Sequence, residues 1–422
     1  MGASTRPREA SAPAPELSLP RLLAAQARTN GSKPFLLTLP GPDGRGSEMT
    51  FSQVQEQVDR LAGLLRQLRL PAAAPVALML PSDGRAIIAL TAVMEAGLSA
   101  VLVPIAAPQP MLAQALEQAK AAALITVSRW AGLETAEMAR SLAAGLYGLR
   151  FVAAFGANAP DGVIPIDNLA ATWAQDARVA MTEQAFTLVR TVDFGPAGQG
   201  PVRVVSRKTN DLVAAALPVV AITGMRAGER ILSTMAPDDL AGIVSGLVPS
   251  LMTGIPLVML PLFDSATLLA EIGRAPGVHL VVPAAIEQAI DDAGLLQDGN
   301  LASVMLTHRA PWQRSQSPPR AAGVLMVDLI ALGEDCLCAR EREATSRGVP
   351  LDGPVTPLNG GISLLSLAIG SAGARGSSKG RLSVTGRAGT VRDPGPATAG
   401  AWRMLDWAAQ CEDGAIVAIR PL

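Results

Sequence analysis

The chain has 422 residues, 49% of them hydrophobic and 17% charged, with a net charge of −1 at pH 7. That length buries a large core and holds more than one structural unit, and so small a net charge gives no long-range field for nucleic acid or an anionic membrane surface. Three cysteines, Cys336, Cys338 and Cys411, are too few for a disulfide framework and lack a four-ligand zinc spacing, so they read as reduced thiols of a cytoplasmic protein.

Residues 1–19 read as a disordered tail. The stretch MGASTRPREASAPAPE has no apolar core for a signal peptide, and Arg6 stands where a myristoylation signal needs Ser or Thr. Between Ser52 and Leu68 the apolar positions Val54, Val58, Leu61, Leu65 and Leu68 recur at helical spacing, and Ser52 with Gln55 reads as a capping box. Short apolar runs then alternate with helical stretches: Val76–Leu80, a helix from Arg85 to Ala96 stopped by Gly97, Ala100–Val103, a helix from Met111 to Lys120, and Leu124–Val127. Strands without polar alternation, joined by helices, form a parallel sheet covered on both faces.

The same alternation resumes at Ile231–Met235, followed by a helix near Leu240–Leu251, then Pro256–Leu260, a helix over Ala266–Gly273, Val278–Val282 and Ser303–Leu306. The uncharged run Leu240–Phe263 has the length of a membrane span, but Pro249, Pro256 and Pro261 interrupt it and Gly254 divides it. It reads as a buried helix followed by a buried strand. From Gly348 glycine and proline become dense, and Gly380–Val391 reads as strands of a small β-rich unit. The tract Gly370–Gly380 is not a Walker loop, because Lys379 follows Ser378 rather than glycine. The expected class is α/β, with two packed parallel-sheet subdomains and a β-rich one, divided at 20–190, 191–345 and 346–422.

Between the two repeating units lies TVDFGPAGQGPVRVVSRKTNDL (Thr191–Leu212). This segment resembles the TSGTTGKPKGV loop and Ser-His-x-Asn helix start of the adenylate-forming superfamily, the acyl-CoA synthetase or AMP-binding family. Similarity extends over MTFSQVQEQVDRLAGLLRQLRL (Met49–Leu70), Pro75–Pro110 and Ile231–Ile272, and runs from about residue 20 to the end. The loop glycines fall on Gly195, Gly198 and Gly200, while its threonines fall on Pro196 and Ala197 and its lysine near Pro201 or Val202. Bare backbone N–H groups let such a loop cradle phosphate, with hydroxyls and a cation completing the cage; proline removes one N–H. Arg203, Arg207 and Lys208 follow and read either as a residual anion site or as a solvated basic helix start.

The resemblance implies a family reaction in which ATP and Mg activate a carboxylic acid as an acyl-adenylate, which then passes to coenzyme A. The family's Gly-Gly-Ala-Pro adenine turn corresponds to His308-Arg309-Ala310-Pro311. His308 has no visible partner in sequence and reads as a surface or loop histidine. The Tyr-Gly-x-Thr-Glu turn corresponds to Ile330–Glu334, which keeps only the metal-holding acid, Glu334. The Thr-Gly-Asp turn corresponds to Met404, Leu405 and Asp406, which keeps the ribose-binding acid, and Arg420 falls near the hinge arginine. The family's C-terminal lid domain is expected to be absent.

Two functional readings stay open. One is a degenerate relative without independent adenylation, acting as an acyl-binding or assembly protein, with a homodimer as one form. The other is a divergent acyl- or aryl-CoA ligase, in fatty acid metabolism for example, completed by a lid-domain protein in trans. Any retained ligand is expected in the acyl cavity, between Val213–Ile222 and Leu240–Leu251, the alternative being that these stretches have closed into an ordinary core.

Overall fold

The computed structural model describes residues 17–41, 46–167, 187–195, 200–297, 299–313, 323–342, 349–350, 364–369, 379–389, 402–412 and 415–422. Residues 1–16 of the expected tail, together with Pro196, Ala197, Gly198 and residues 370–378, lie outside them.

The periodic segments become the elements their patterns demand. The helix Phe51–Gln67 buries Val54, Val58, Leu61 and Leu65. Its cap lies two residues before the expected one: Thr50, not Ser52, accepts the Gln53 N–H at 3.3 Å, and Gln53 Oε1 accepts the Thr50 N–H at 2.8 Å. Both pairs have the capping-box spacing. The strand Ser47–Thr50 runs straight into the helix and fixes the start at the earlier residue. Asp83 caps the next helix, Gly84–Glu95, and Gly97 follows at φ +78°, the left-handed conformation that stops a helix.

Among the described residues the first sheet has seven strands, in the order Ile164–Pro165, Phe151–Phe155, Ala123–Val127, Pro75–Leu78, Ser99–Leu102, Val189–Asp193, Arg203–Arg207. All neighbours are parallel except the last pair. The second sheet has eight described strands, in the order Cys336–Glu341, Leu325–Leu332, Leu301–Arg309, Val278–Pro283, Arg230–Ser233, Leu257–Met259, Pro34–Thr38, Ser47–Thr50. Its interior is parallel and its two edge pairs antiparallel. The third sheet is antiparallel, built from Trp312–Gln313, Ala415–Pro421, Arg403–Glu412, Lys379–Thr385 and Ser366–Ile369, with Val349–Pro350 also on Ala415–Pro421.

Sheet membership does not follow the expected division at residue 190. The strands Pro34–Thr38 and Ser47–Thr50 belong to the second sheet, and Arg203–Arg207 closes the first. A parallel strand finds its neighbour through a long connection, so chain order could not reveal that Pro34–Thr38 pairs with Leu257–Met259, more than 200 residues away.

One continuous apolar core joins all three sheets, with Leu78, Val101, Met305, Leu329, Leu382 and Trp407 among its members. A smaller core covers the other face of the second sheet, where Leu280, Val282, Val304 and Leu306 pack on Leu268, Ile272 and Ile290. The run 240–263 is a helix in three parts, Leu240–Gly242, a π-turn Ile243–Leu247 and Val248–Thr253, ended by Gly254 at φ +75° and followed by the buried strand Leu257–Met259. No helix among the described residues is long and apolar enough to cross a membrane.

Candidate functional site

The glycine-rich loop connects the antiparallel strands Val189–Asp193 and Arg203–Arg207. Gly195 has φ +71°, and a Cβ on it would lie 2.6 Å from Gly200 Cα. Glycine is therefore required on both counts. The Gly195 N–H donates to Asp193 Oδ1 at 2.9 Å, and the Gly200 N–H donates to the Phe194 carbonyl at 3.2 Å. Two of the loop's backbone donors thus already have acceptors within the chain. Gly198 lies outside the described residues.

Glu334 sits in the turn between Leu325–Leu332 and Cys336–Glu341, and it is buried. Its Oε2 accepts the Leu240 N–H at 2.9 Å. Burial first, and the Asp239 carboxylate second, push its carboxyl up to about 8, against the pull of Arg207, the Leu240 N–H and the Thr191 hydroxyl. An environment of this kind favours the neutral carboxyl over the carboxylate.

Its neighbour Asp335 is the hub of the region. It is fully buried and accepts from Arg203 Nη1 at 2.9 Å, Arg203 Nη2 at 2.6 Å and Arg403 Nη1 at 2.7 Å. Burial alone would raise its pKa, but the Arg203 hydrogen bonds and charge, with those of Arg403, hold it below the usual carboxylate range. Arg203 also donates to Asp193 at 2.9 Å. Arg207, fully buried, donates to the carbonyl of Asp335 at 3.0 Å and to that of Glu334. Arg203 and Arg207 are therefore committed to acceptors of this chain, which corrects their reading as a free anion site or a solvated helix start.

The expected adenine turn is likewise engaged. His308 is half-buried, with Nε2 2.9 Å from Asp328 Oδ1. Asp328 in turn pairs with Arg342, whose Nη1 donates to Glu287 at 2.5 Å. The reading of His308 as partnerless is corrected: Asp328 stands on the adjacent parallel strand, where sequence distance hides it. Arg309 pairs with Asp239. The other histidine, His279, is buried between Ser303 and Glu229, each at 2.9 Å. Burial lowers its pKa, against the raising effect of Glu229.

Asp406 shares a strand with Arg403 but not its direction. Its side chain is 78% exposed and accepts from Arg381 Nη2 at 2.8 Å. The three cysteines are free, two buried and one half-buried.

Residues 23–171 match the family model described as AMP-binding enzyme. Anthranilate CoA ligase AuaEII in complex with anthranoyl-AMP superposes with a TM-score of 0.75 at 15% identity, covering 96% of this chain and 78% of that one. The chain has the large-domain fold of the adenylate-forming enzymes. The Klebsiella oxytoca NpsA N-terminal subdomain in complex with 3-hydroxybenzoyl-AMSN gives 0.67 at 17% identity, covering 96% and 98%. O-succinylbenzoate coenzyme A synthetase from Bacillus subtilis in complex with AMP gives 0.69 at 13%, covering 95% and 97%. No curated protein matches in sequence.

The donor set at Glu334 does not fit the magnesium site that this fold implies. A hard divalent cation takes ionised or carbonyl oxygens with room for waters, whereas Glu334 is buried and bonded to a backbone N–H.

Proposed function

We propose that this chain is a catalytically degenerate relative of the acyl-CoA synthetases, without independent adenylation activity, that acts as a carboxylic-acid-binding or assembly protein. The observation carrying this reading is the self-satisfaction of the nucleotide side. Adenylation depends on donors and cations aimed at charge developing on phosphorus. Here the described loop N–H groups point to Asp193 and Phe194, Arg203 and Arg207 serve Asp335 and main-chain carbonyls, and Glu334 serves Leu240. A nucleotide phosphate would have to break several of these contacts, and it would meet Asp193 at the loop's base.

The acyl side keeps a different character. The helix Thr209–Thr223 packs on the helix 240–253, and Ala214, Ala215, Ala216 and Val219 face a core that includes Ile243, Val244, Leu247 and Leu251. Small apolar side chains with few polar neighbours are what an acid's hydrocarbon or aryl part would pack against. Two of the similar structures hold anthranoyl-AMP and 3-hydroxybenzoyl-AMSN, so aryl acids head the panel to test.

ATP–pyrophosphate exchange with benzoic, hydroxybenzoic and fatty acids should stay at the no-protein background, while thermal shift should respond to acids and not to AMP or ATP. Exchange above background that Asp406→Ala abolishes would replace this reading with that of an active ligase. A shift with AMP alone would place the surviving site on the nucleotide side.

A further inference from the structure

The turn Gly333–Asp335 is where all three sheets meet. It belongs to the second sheet's outermost pair. From the first sheet, Arg203 lays both Nη atoms across the Asp335 carboxylate at 2.9 and 2.6 Å. From the third sheet, Arg403 adds a bond to Oδ1 at 2.7 Å. Gly333 marks the same junction independently. At φ +54° it has room for no side chain, since a Cβ would lie 2.7 Å from Asp193 Oδ2 of the first sheet and 3.5 Å from Trp407 Cζ2 of the third.

We infer that Asp335 is an ion-pair clasp that keeps the third sheet closed against the two α/β sheets, and that releasing it opens the third sheet as a unit while the other two keep their fold. The asymmetry of burial gives the clasp this property. The Asp335 side chain is 1% exposed, whereas those of Arg203 and Arg403 keep 38% and 29%. With the carboxylate gone, both guanidinium groups lose a buried acceptor but each has a path to water, so the junction parts on the arginine side. The first sheet retains a second grip, because Arg207 holds the Asp335 carbonyl at 3.0 Å and also donates to the Glu334 carbonyl. The Arg403 guanidinium has no second carboxylate among the described contacts, only the Gly389 carbonyl at 3.4 Å.

Other contacts also tie the third sheet to the rest. Trp312–Gln313 pairs two residues with Ala415–Pro421, and the half-exposed Arg387 stands 3.6 Å from Asp211. Asp211 is buried, so this pair is open to water on the arginine side only. Apolar contacts through Leu382, Val384, Leu405 and Trp407 remain, so an unclasped sheet would open and reclose rather than leave. Sub-global opening of this sort is read by amide exchange.

The test is hydrogen–deuterium exchange on the full chain and its variants Asp335→Asn and Arg403→Met. Amides of Lys379–Thr385 and Arg403–Glu412 should exchange about tenfold faster or more in both variants, while Ala123–Val127 and Val278–Pro283 keep wild-type rates. Should Asp335→Asn fail to fold, Arg403→Met decides alone, because it removes only the third sheet's arm and leaves the Arg203 fork in place. Equal acceleration in all three sheets, or no acceleration in the third, overturns the clasp.

Discussion

Replacing Glu334 by glutamine should make the protein more stable at alkaline pH and leave it unchanged in mild acid. The Glu334 carboxyl rises from 4.5 to about 8 on folding, chiefly through burial and then through Asp239. Below about pH 4.5 the folded and unfolded chains both hold the proton. Between 4.5 and 8 the unfolded chain releases it while the native state keeps it, so stability falls as pH rises through that window. At about 1.36 kcal/mol per pKa unit the loss has a ceiling of roughly 5 kcal/mol. Sharing of the repulsion with Asp239 and relaxation around the charge bring the expected loss to about 2–4 kcal/mol. Glutamine stays neutral throughout and keeps an acceptor for the Leu240 N–H, so Glu334→Gln should match wild type at about pH 4 and exceed it by about 2–4 kcal/mol at about pH 8.5. Urea unfolding followed by circular dichroism at the two pH values measures this. If Glu334→Gln were the weaker protein at pH 8.5, or the two were equal there, the carboxylate would be ionised in the fold and the argument against a magnesium ligand would fail with it.

Two further outcomes follow from the same geometry. Burial works to raise the Asp328 pKa, but His308 and Arg342 overcome it and hold the group at about 2. This stability is complete above the unfolded value near 4 and is lost as pH falls toward 2. Asp328→Asn should therefore cost about 2 kcal/mol at pH 7 and flatten the acid limb of thermal melts between pH 4 and 2; an acid limb identical to wild type would count against the pairing. Gly242 has no room for a methyl group, since a Cβ would lie 1.9 Å from the Ala236 carbonyl oxygen. Gly242→Ala should cost about 3 kcal/mol or more in urea unfolding or abolish soluble expression, and a variant within about 0.5 kcal/mol of wild type would show that the Ala236–Asp239 approach to the helix moves freely.

The sequence determined the elements and their kind, because hydrophobic period is local. Val54 through Leu65 specify a core-facing helix, and the unbroken apolar runs at Val76, Ala100 and Leu124 specify buried parallel strands, whatever the rest of the chain does. Resemblance carried the large-domain fold and marked Gly195, Gly200 and Glu334 as positions to inspect. It could not say how those positions are spent, because a side chain's state depends on partners brought from elsewhere. Asp335 meets Arg203 across 132 residues and Arg403 across 68, and His308 meets Asp328 only because two parallel strands lie side by side. Burial of Glu334 and the upward push on its carboxyl are likewise products of the three sheets closing on one turn, since desolvation and charge act through space. Strand pairing across long crossovers, such as Pro34–Thr38 beside Leu257–Met259, belongs to the same class. Periodicity selects which face of each segment is buried, and only the assembled core decides what that face is buried against.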